Sequence, residues 1–269
     1  MKIAKGVVAV IVAVTSLLLV TACSGKDKAA SSGGPSGAPD GTAAAAPAKS
    51  ASAVDQLSAA AAKTGGGTYT FKMTSANATV DGAADPAGPT STGKLVVTVD
   101  KTKVTFETLF AAGTYLVKIS GLPVPGLDGR KWLRLDRTKL TGDDLLDAAS
   151  VKDPTGLSDF PATVADAGTA DGRLFKGTLD LTKSSFTLVD DAAVKGLGDF
   201  AKVVPYEATV DEKGYLTSLK VNVPAYAQTK ADQVTVTYAG FGAPLQTPSP
   251  SASEVIDAPA AAYRLLNGE

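Results

Sequence analysis

The chain has 269 residues, with 26 lysines and arginines against 27 aspartates and glutamates, one cysteine and no histidine. Without histidine there is no imidazole base, proton shuttle or imidazole metal ligand, and one cysteine allows neither an internal disulfide nor a thiolate metal cluster. The two charge signs are interspersed along the chain, so the basic surface that nucleic acid demands is missing. Catalysis would have to rest on Asp, Glu, Ser, Lys or Tyr, and no nucleophile motif joins them. The sequence therefore reads as a non-enzyme without a cofactor or metal.

The N-terminus carries Lys2 and Lys5, then an uncharged apolar run from Val7 to Val20, then Thr21, Ala22 and Cys23. A basic start, an apolar middle and small residues at the cut are the anatomy of an export signal. Val20-Thr21-Ala22-Cys23 resembles a bacterial lipobox, in which the cysteine thiol receives a diacylglyceryl group before cleavage ahead of it. The competing reading is an uncleaved spanning helix, since no charge falls between Gly6 and Gly25. Small residues leading straight to the only cysteine favour the lipobox. Residues 1–22 are thus expected to be removed and Cys23 to be the acylated N-terminus. Two acyl chains hold a protein stably at a membrane where one would be marginal. The expected location is the extracytoplasmic face of the cell membrane, with the membrane itself as one partner.

Residues 23–53 form a lipidated tether of Ala, Gly, Ser, Pro and Thr with three lysines and two aspartates, too apolar-poor to fold. Thirty such residues reach roughly 30 Å as a flexible chain. From 54 to 245 the pattern is that of one domain. Ala53–Lys63 reads as a helix with Val54, Leu57 and Ala61 at helical spacing, ended by Gly65-Gly66-Gly67. Strands are expected at Thr68–Ser75, Asn77–Gly82, Lys94–Asp100, Lys103–Leu109, Gly113–Ser120 and Lys131–Asp136. Alternation puts Leu95, Val97 and Val99 on one face, with Phe106 and with Tyr115, Val117 and Ile119 on the next strands. A short helix is expected at Thr141–Ser150, and helical or irregular chain at Gly156–Gly168 and Asp190–Phe200. Strands return at Gly172–Leu181, Val203–Val210, Tyr215–Val223 and Gln233–Tyr238, with a hairpin turn at Asp211-Glu212-Lys213-Gly214. Residues 246–269 are set off as a Pro/Ala-rich tail. The fold class is α+β, an antiparallel sheet with helices on one face.

Other constellations have plain structural explanations. Asp143, Asp144 and Asp147 suit the start of a helix dipole better than a cation site. Asp190-Asp191 are sequence neighbours and do not face each other on a helix. Gly196-Leu197-Gly198 lacks the strand–turn–helix setting of a dinucleotide fingerprint. Asn77-Ala78-Thr79 matches a glycosylation sequon, which carries little meaning beside a bacterial lipobox. Trp132 suits core packing better than a cavity wall.

Several segments resemble the LppX/LprG family of actinobacterial lipoproteins, which share the half-barrel of the LolA lipoprotein carriers. They are Tyr115–Ser120 followed by Gly129–Asp136 (GRKWLRLD), Phe175–Leu181 (FKGTLDL), Val204–Val223 with its VDEKGYL hairpin, and Val234–Pro244 (VTVTYAGFGAP). In order, they cover most of Val54 to Pro244. The resemblance implies a strongly curved antiparallel sheet with helices packed on its concave face, and an apolar cavity between them for the acyl chains of a lipid or glycolipid. Leu95, Val97, Val99, Phe106, Tyr115, Val117 and Ile119 are then the candidate lining. The alternative is a non-catalytic envelope scaffold or sensor acting through protein partners, its interior filled by side chains.

Cys23→Ser is expected to abolish acylation, leaving the signal uncleaved or releasing soluble protein. Mass spectrometry of the mature chain checks this, and a normally processed, diacylated variant would overturn the lipobox assignment.

Overall fold

The computed structural model describes residues 51–99, 101–140, 153–183, 189 and 191–267. The export signal, Cys23, nearly all of the tether and the helix expected at Thr141–Ser150 lie outside these residues. Among the described residues no helix is long and apolar enough to cross a membrane.

Helix α1 spans Ala53–Gly65 and begins with a capping box. The Asp55 amide donates to Ser52 Oγ at 3.1 Å, and the Asp55 carboxylate accepts from the Ser52 amide at 3.3 Å. Five strands follow: β1 Tyr69–Thr74, β2 Ala78–Asp85, β3 Thr90–Val99, β4 Thr102–Ala111 and β5 Thr114–Ser120. A loop then leads to β6, Trp132–Arg134. One helical turn, α2, Phe160–Thr163, runs directly into β7, Val164–Thr169, and β8 is Leu174–Leu179. Helix α3, Asp191–Leu197, precedes β9 Val204–Val210, β10 Leu216–Val223 and β11 Asp232–Ala239. The chain ends with β12, Val255–Asp257, and helix α4, Ala260–Leu266.

The molecule is α+β: all twelve strands form one open sheet in the order β12-β6-β5-β4-β3-β2-β1-β11-β10-β9-β8-β7. Every pairing is antiparallel except β12 on β6, which is parallel. Most neighbours are sequential hairpins. The exceptions are β1 beside β11, which closes the two strand blocks against each other, and the C-terminal β12 on β6.

Because partners in register share a face, the pairings define one apolar side running across the sheet. It carries Val117 and Leu133 at one end, Phe71 and Tyr238 in the middle, and Tyr206, Phe175 and Leu179 at the other. The opposite side is mostly polar apart from a small apolar cluster at Trp132, with exposed ion pairs such as Lys72–Asp81 at 3.6 Å and Lys176–Glu207 at 2.7 Å. Such exposed pairs contribute little stability.

Two segments differ from the sequence expectations. Gly156–Gly168, expected to be helical or irregular, does hold the helical turn α2, but its last residues form the edge strand β7. The stretch 246–269, set off as a tail, carries β12 and α4, and Ala262, Tyr263 and Leu266 are buried in an apolar cluster. Pro- and Ser-rich residues obscured this, because only the short runs Val255–Asp257 and Ala260–Leu266 have anything to bury.

α1 is pinned to the sheet by one buried residue. The Thr64 hydroxyl accepts from the Leu216 amide at 2.9 Å and lies 3.4 Å from the Leu216 carbonyl oxygen, to which it donates. Thr64→Val keeps the shape but leaves both Leu216 groups without this partner. It is expected to destabilise the fold by about 1–3 kcal/mol, measured by urea or thermal unfolding.

Candidate functional site

Among the described residues the apolar side is filled at both ends and more thinly covered in the middle, where Ala84 and Val97 are nonetheless buried. One cluster gathers Leu57, Ala60 and Ala61 of α1, Leu157 and Phe160, and Ala193 and Leu197 of α3 with the facing residues of β1 and β8–β11. A second gathers Phe106, Tyr115, Val117, Ile119, Leu133 and Leu135 with Leu127 and with Ala262, Tyr263 and Leu266 of α4.

Between them lie β2 and β3. One row of register partners crosses the whole gap: Phe71, Gly82, Gly93, Thr108, Val117 and Leu133. Its centre has almost no side chain. A Cβ on Gly82 would sit 2.4 Å from the Phe71 ring and 2.6 Å from the Thr92 carbonyl oxygen, so only glycine fits beneath that ring. A Cβ on Gly93 would lie 2.9 Å from Thr108 Oγ1. Ala78, Val80, Gly82, Ser91, Gly93 and Leu95 are half-buried and Thr108 is exposed, whereas Phe71, Phe106 and Val117 on either side are buried. The charged residues of these strands, Asp81, Asp85 and Lys94, point to the other face by register, as does Glu107 of β4. The result is an uncharged, shallow strip flanked by two apolar walls, suited to an apolar chain and not to an ion.

Of the seven candidate lining residues, Leu95 is half-buried on this strip. Val97 is buried at 3% exposure and, among the described residues, joins neither cluster. The Val99 side chain lies outside the described residues. Phe106, Tyr115, Val117 and Ile119 are on the same face but belong to the second cluster, closed over by α4 and the loop at Leu127. The strip's own formers, Val80, Gly82 and Gly93, were not singled out by the sequence. Glycine breaks the alternation that marks a lining strand.

Trp132 faces the opposite side of the sheet. It is buried in a small satellite cluster with Leu109, Leu116 and the partly buried Val255, with Lys118 Nζ 4.7 Å from its ring centroid. It is neither in the main core nor on the strip. The acids Asp143, Asp144, Asp147 and Asp190 lie outside the described residues. Gly196 packs under the Tyr226 ring, where a Cβ would come within 2.4 Å, which gives the Gly-Leu-Gly run a packing role.

A buried polar cluster borders the first wall. Asp153 caps the segment leading to α2, accepting from the Leu157 amide at 2.8 Å and the Ser158 amide at 2.5 Å. Thr155, fully buried, donates to the same carboxylate at 3.3 Å. The Tyr69 and Tyr238 rings meet edge to face at 5.9 Å from neighbouring strands β1 and β11. Both hydroxyls are buried and make no well-formed hydrogen bond, although Thr155 and Asp153 lie near enough to act on them. Burial, and then the Asp153 charge, pushes the Tyr69 phenol well above the usual range. Burial also raises Asp159, and Asp153 adds to the effect. Tyr238→Phe removes a buried hydroxyl that has no well-formed hydrogen bond among the described residues, so the melting temperature is expected to stay level or rise. A loss of about 1 kcal/mol or more in equilibrium unfolding would show instead that the hydroxyl is hydrogen-bonded.

No family model matches the chain. Nor does any curated protein.

Proposed function

We propose that this is an envelope lipoprotein, anchored by acylated Cys23, that holds or carries an acyl-chain lipid or glycolipid against the apolar side of its sheet. In this reading the sheet curves as a half-barrel of the LppX/LprG kind, the helices pack on its concave side, and the candidate lining residues border the ligand. The observation that carries it is the half-buried, uncharged strip over β2 and β3 between two filled apolar clusters. An apolar surface left open this way costs about 25 cal/mol per Å² relative to burial, so a chain laid along it is stabilised by the same amount.

One observation favours the scaffold reading. Phe106, Tyr115, Val117 and Ile119 are packed by the protein's own side chains. Native mass spectrometry of the full chain from its native host separates the readings: co-purifying lipid supports the carrier, and repeated recovery of ligand-free protein supports the scaffold.

Two tryptophan substitutions sharpen the test. Leu95→Trp adds volume over the strip and is expected to cut bound lipid while leaving the melting temperature nearly unchanged. Val117→Trp adds volume inside a closed cluster and is expected to cost about 1–3 kcal/mol through overpacking. Thermal melts and lipid extraction on both variants measure the contrast. A Leu95→Trp protein with its full lipid content would count against the strip as the binding surface.

A further inference from the structure

Four of the seven candidate lining residues cannot touch a lipid in the arrangement observed, because Phe106, Tyr115, Val117 and Ile119 are at most 9% exposed and are packed in one cluster with residues of α4. Something must leave before an acyl chain reaches them. Two covers lie over this cluster: the loop carrying Leu127, and the C-terminal segment Ser251–Asn267. The loop is tied at both ends, with an internal turn from the Leu127 amide to the Val124 carbonyl at 3.0 Å.

The C-terminal segment follows a long irregular stretch. Residues 240–251 contain no helix or strand, and 246–249 are exposed. Its hold on the sheet combines a short ladder, continued by the Ala258 amide donating to the Arg134 carbonyl at 3.0 Å, with the buried Ala262, Tyr263 and Leu266. Three residues of β12 pair with β6, the only parallel pairing in the sheet. Around that ladder stand an exposed ion pair, Arg134–Asp257 at 3.2 Å, and a bond from Lys131 Nζ to the Ser253 carbonyl at 2.6 Å. Further along, the Asp136 amide donates to the Tyr263 hydroxyl at 2.8 Å, and Asn267 Nδ2 donates to the Lys139 carbonyl at 3.1 Å. The segment carries its own capping box at Ser251 and Glu254, so its start keeps its shape without the sheet. Exposed pairs and a three-residue ladder, joined to the body by an irregular and largely exposed stretch, are the features of a unit that opens without global unfolding.

We infer that Ser251–Asn267 is a displaceable strap: it closes the β4–β6 half of the apolar side in the empty protein and swings away to extend the strip when an acyl chain is taken up. This rests on the lipid reading above and adds the moving part to it. Lipid binding on the strip alone would need no such motion. Occupation of the Phe106 and Val117 wall requires it.

The ion pair supplies a lock. Arg134 and Asp257 are register partners on adjacent strands with side chains already in contact, and neighbouring strands lie about 4.8 Å apart, within the reach of a disulfide. In the full chain, Arg134→Cys/Asp257→Cys is compared oxidised and reduced, with Arg134→Cys alone as the control for Cys23. The probe is a pyrene-acyl phosphatidylglycerol supplied in phosphatidylglycerol vesicles. Uptake is expected to fall about ten-fold on oxidation and to return on reduction, because the lock removes the binding-competent population. Amide hydrogen exchange is the second readout. Residues 255–257 and 260–266 are expected to exchange well before β10 and β11 in the wild type, and the lock is expected to slow them. Equal uptake by both forms overturns the strap while leaving the lipid reading intact. Strap amides as slow as those of β10 overturn it too. No uptake by the wild type removes the lipid reading, and the strap falls with it.

Discussion

One apolar face spread over a twelve-stranded open sheet has to be covered, and the helices among the described residues are few and short. Strand alternation makes the problem unavoidable. Once Tyr69, Phe71, Val236, Leu219, Tyr206 and Phe175 alternate with Thr and Lys, a single register places them all on one side. The cover is drawn from α1 and α4 and, between them in sequence, from Leu157, α2 and α3. α1 enters before the first strand and is held at its last turn by the two-way hydrogen bonds of Thr64. α4 arrives after the last long strand. Coverage thins over β2 and β3, where glycine, alanine and serine reduce the area that needs it. The open strip and the small residues beneath it are two aspects of one solution.

The sheet's two edges are managed differently. At one, β7 carries an irregularity between Val164 and Asp166, and the Asp166 carboxylate accepts from both the amide and the hydroxyl of Thr178. A carboxylate and a bulge on an edge strand discourage pairing with another chain. At the other, β12 itself is the edge, only three residues long. A short edge strand offers little template for growth, which matters for a protein whose proposed anchor would concentrate it on a surface.

The sequence disclosed what depends on local chemistry. The helix from Ala53 is read from its alanines and apolar spacing, and the hairpin at Asp211–Gly214 from its turn residues. The Asp211 carboxylate there accepts from the Lys213 and Tyr215 amides, each at 2.9 Å. The alternation in β3, β4 and β5 gave the right face for Leu95, Val97, Phe106, Tyr115, Val117 and Ile119. What stayed hidden depends on distant partners. β7 is Val-Ala-Asp-Ala-Gly-Thr, with little β-branching, and becomes a strand because β8 presents a ladder to it. The last two elements are fixed by contacts with residues more than a hundred positions earlier. The division of the lining residues between an open strip and a closed cluster follows from those contacts too, so no pattern within β4 or β5 reveals it. Trp132, read as a packed core residue, is buried in a small core cluster; the single-residue step from Trp132 to Leu133 decides that this cluster lies on the other face, beside Leu109 and Leu116.

That placement gives the molecule its own optical probe. The only tryptophan of the chain is buried at the back of the sheet, in register with Val255 of β12 and beneath the Lys118 ammonium. Its emission therefore reports on the hydration of one seam, the join between the body of the sheet and its final strand. A spectroscopist who excites the indole is observing the docking of the C-terminus with no label attached, against a background of only seven tyrosines.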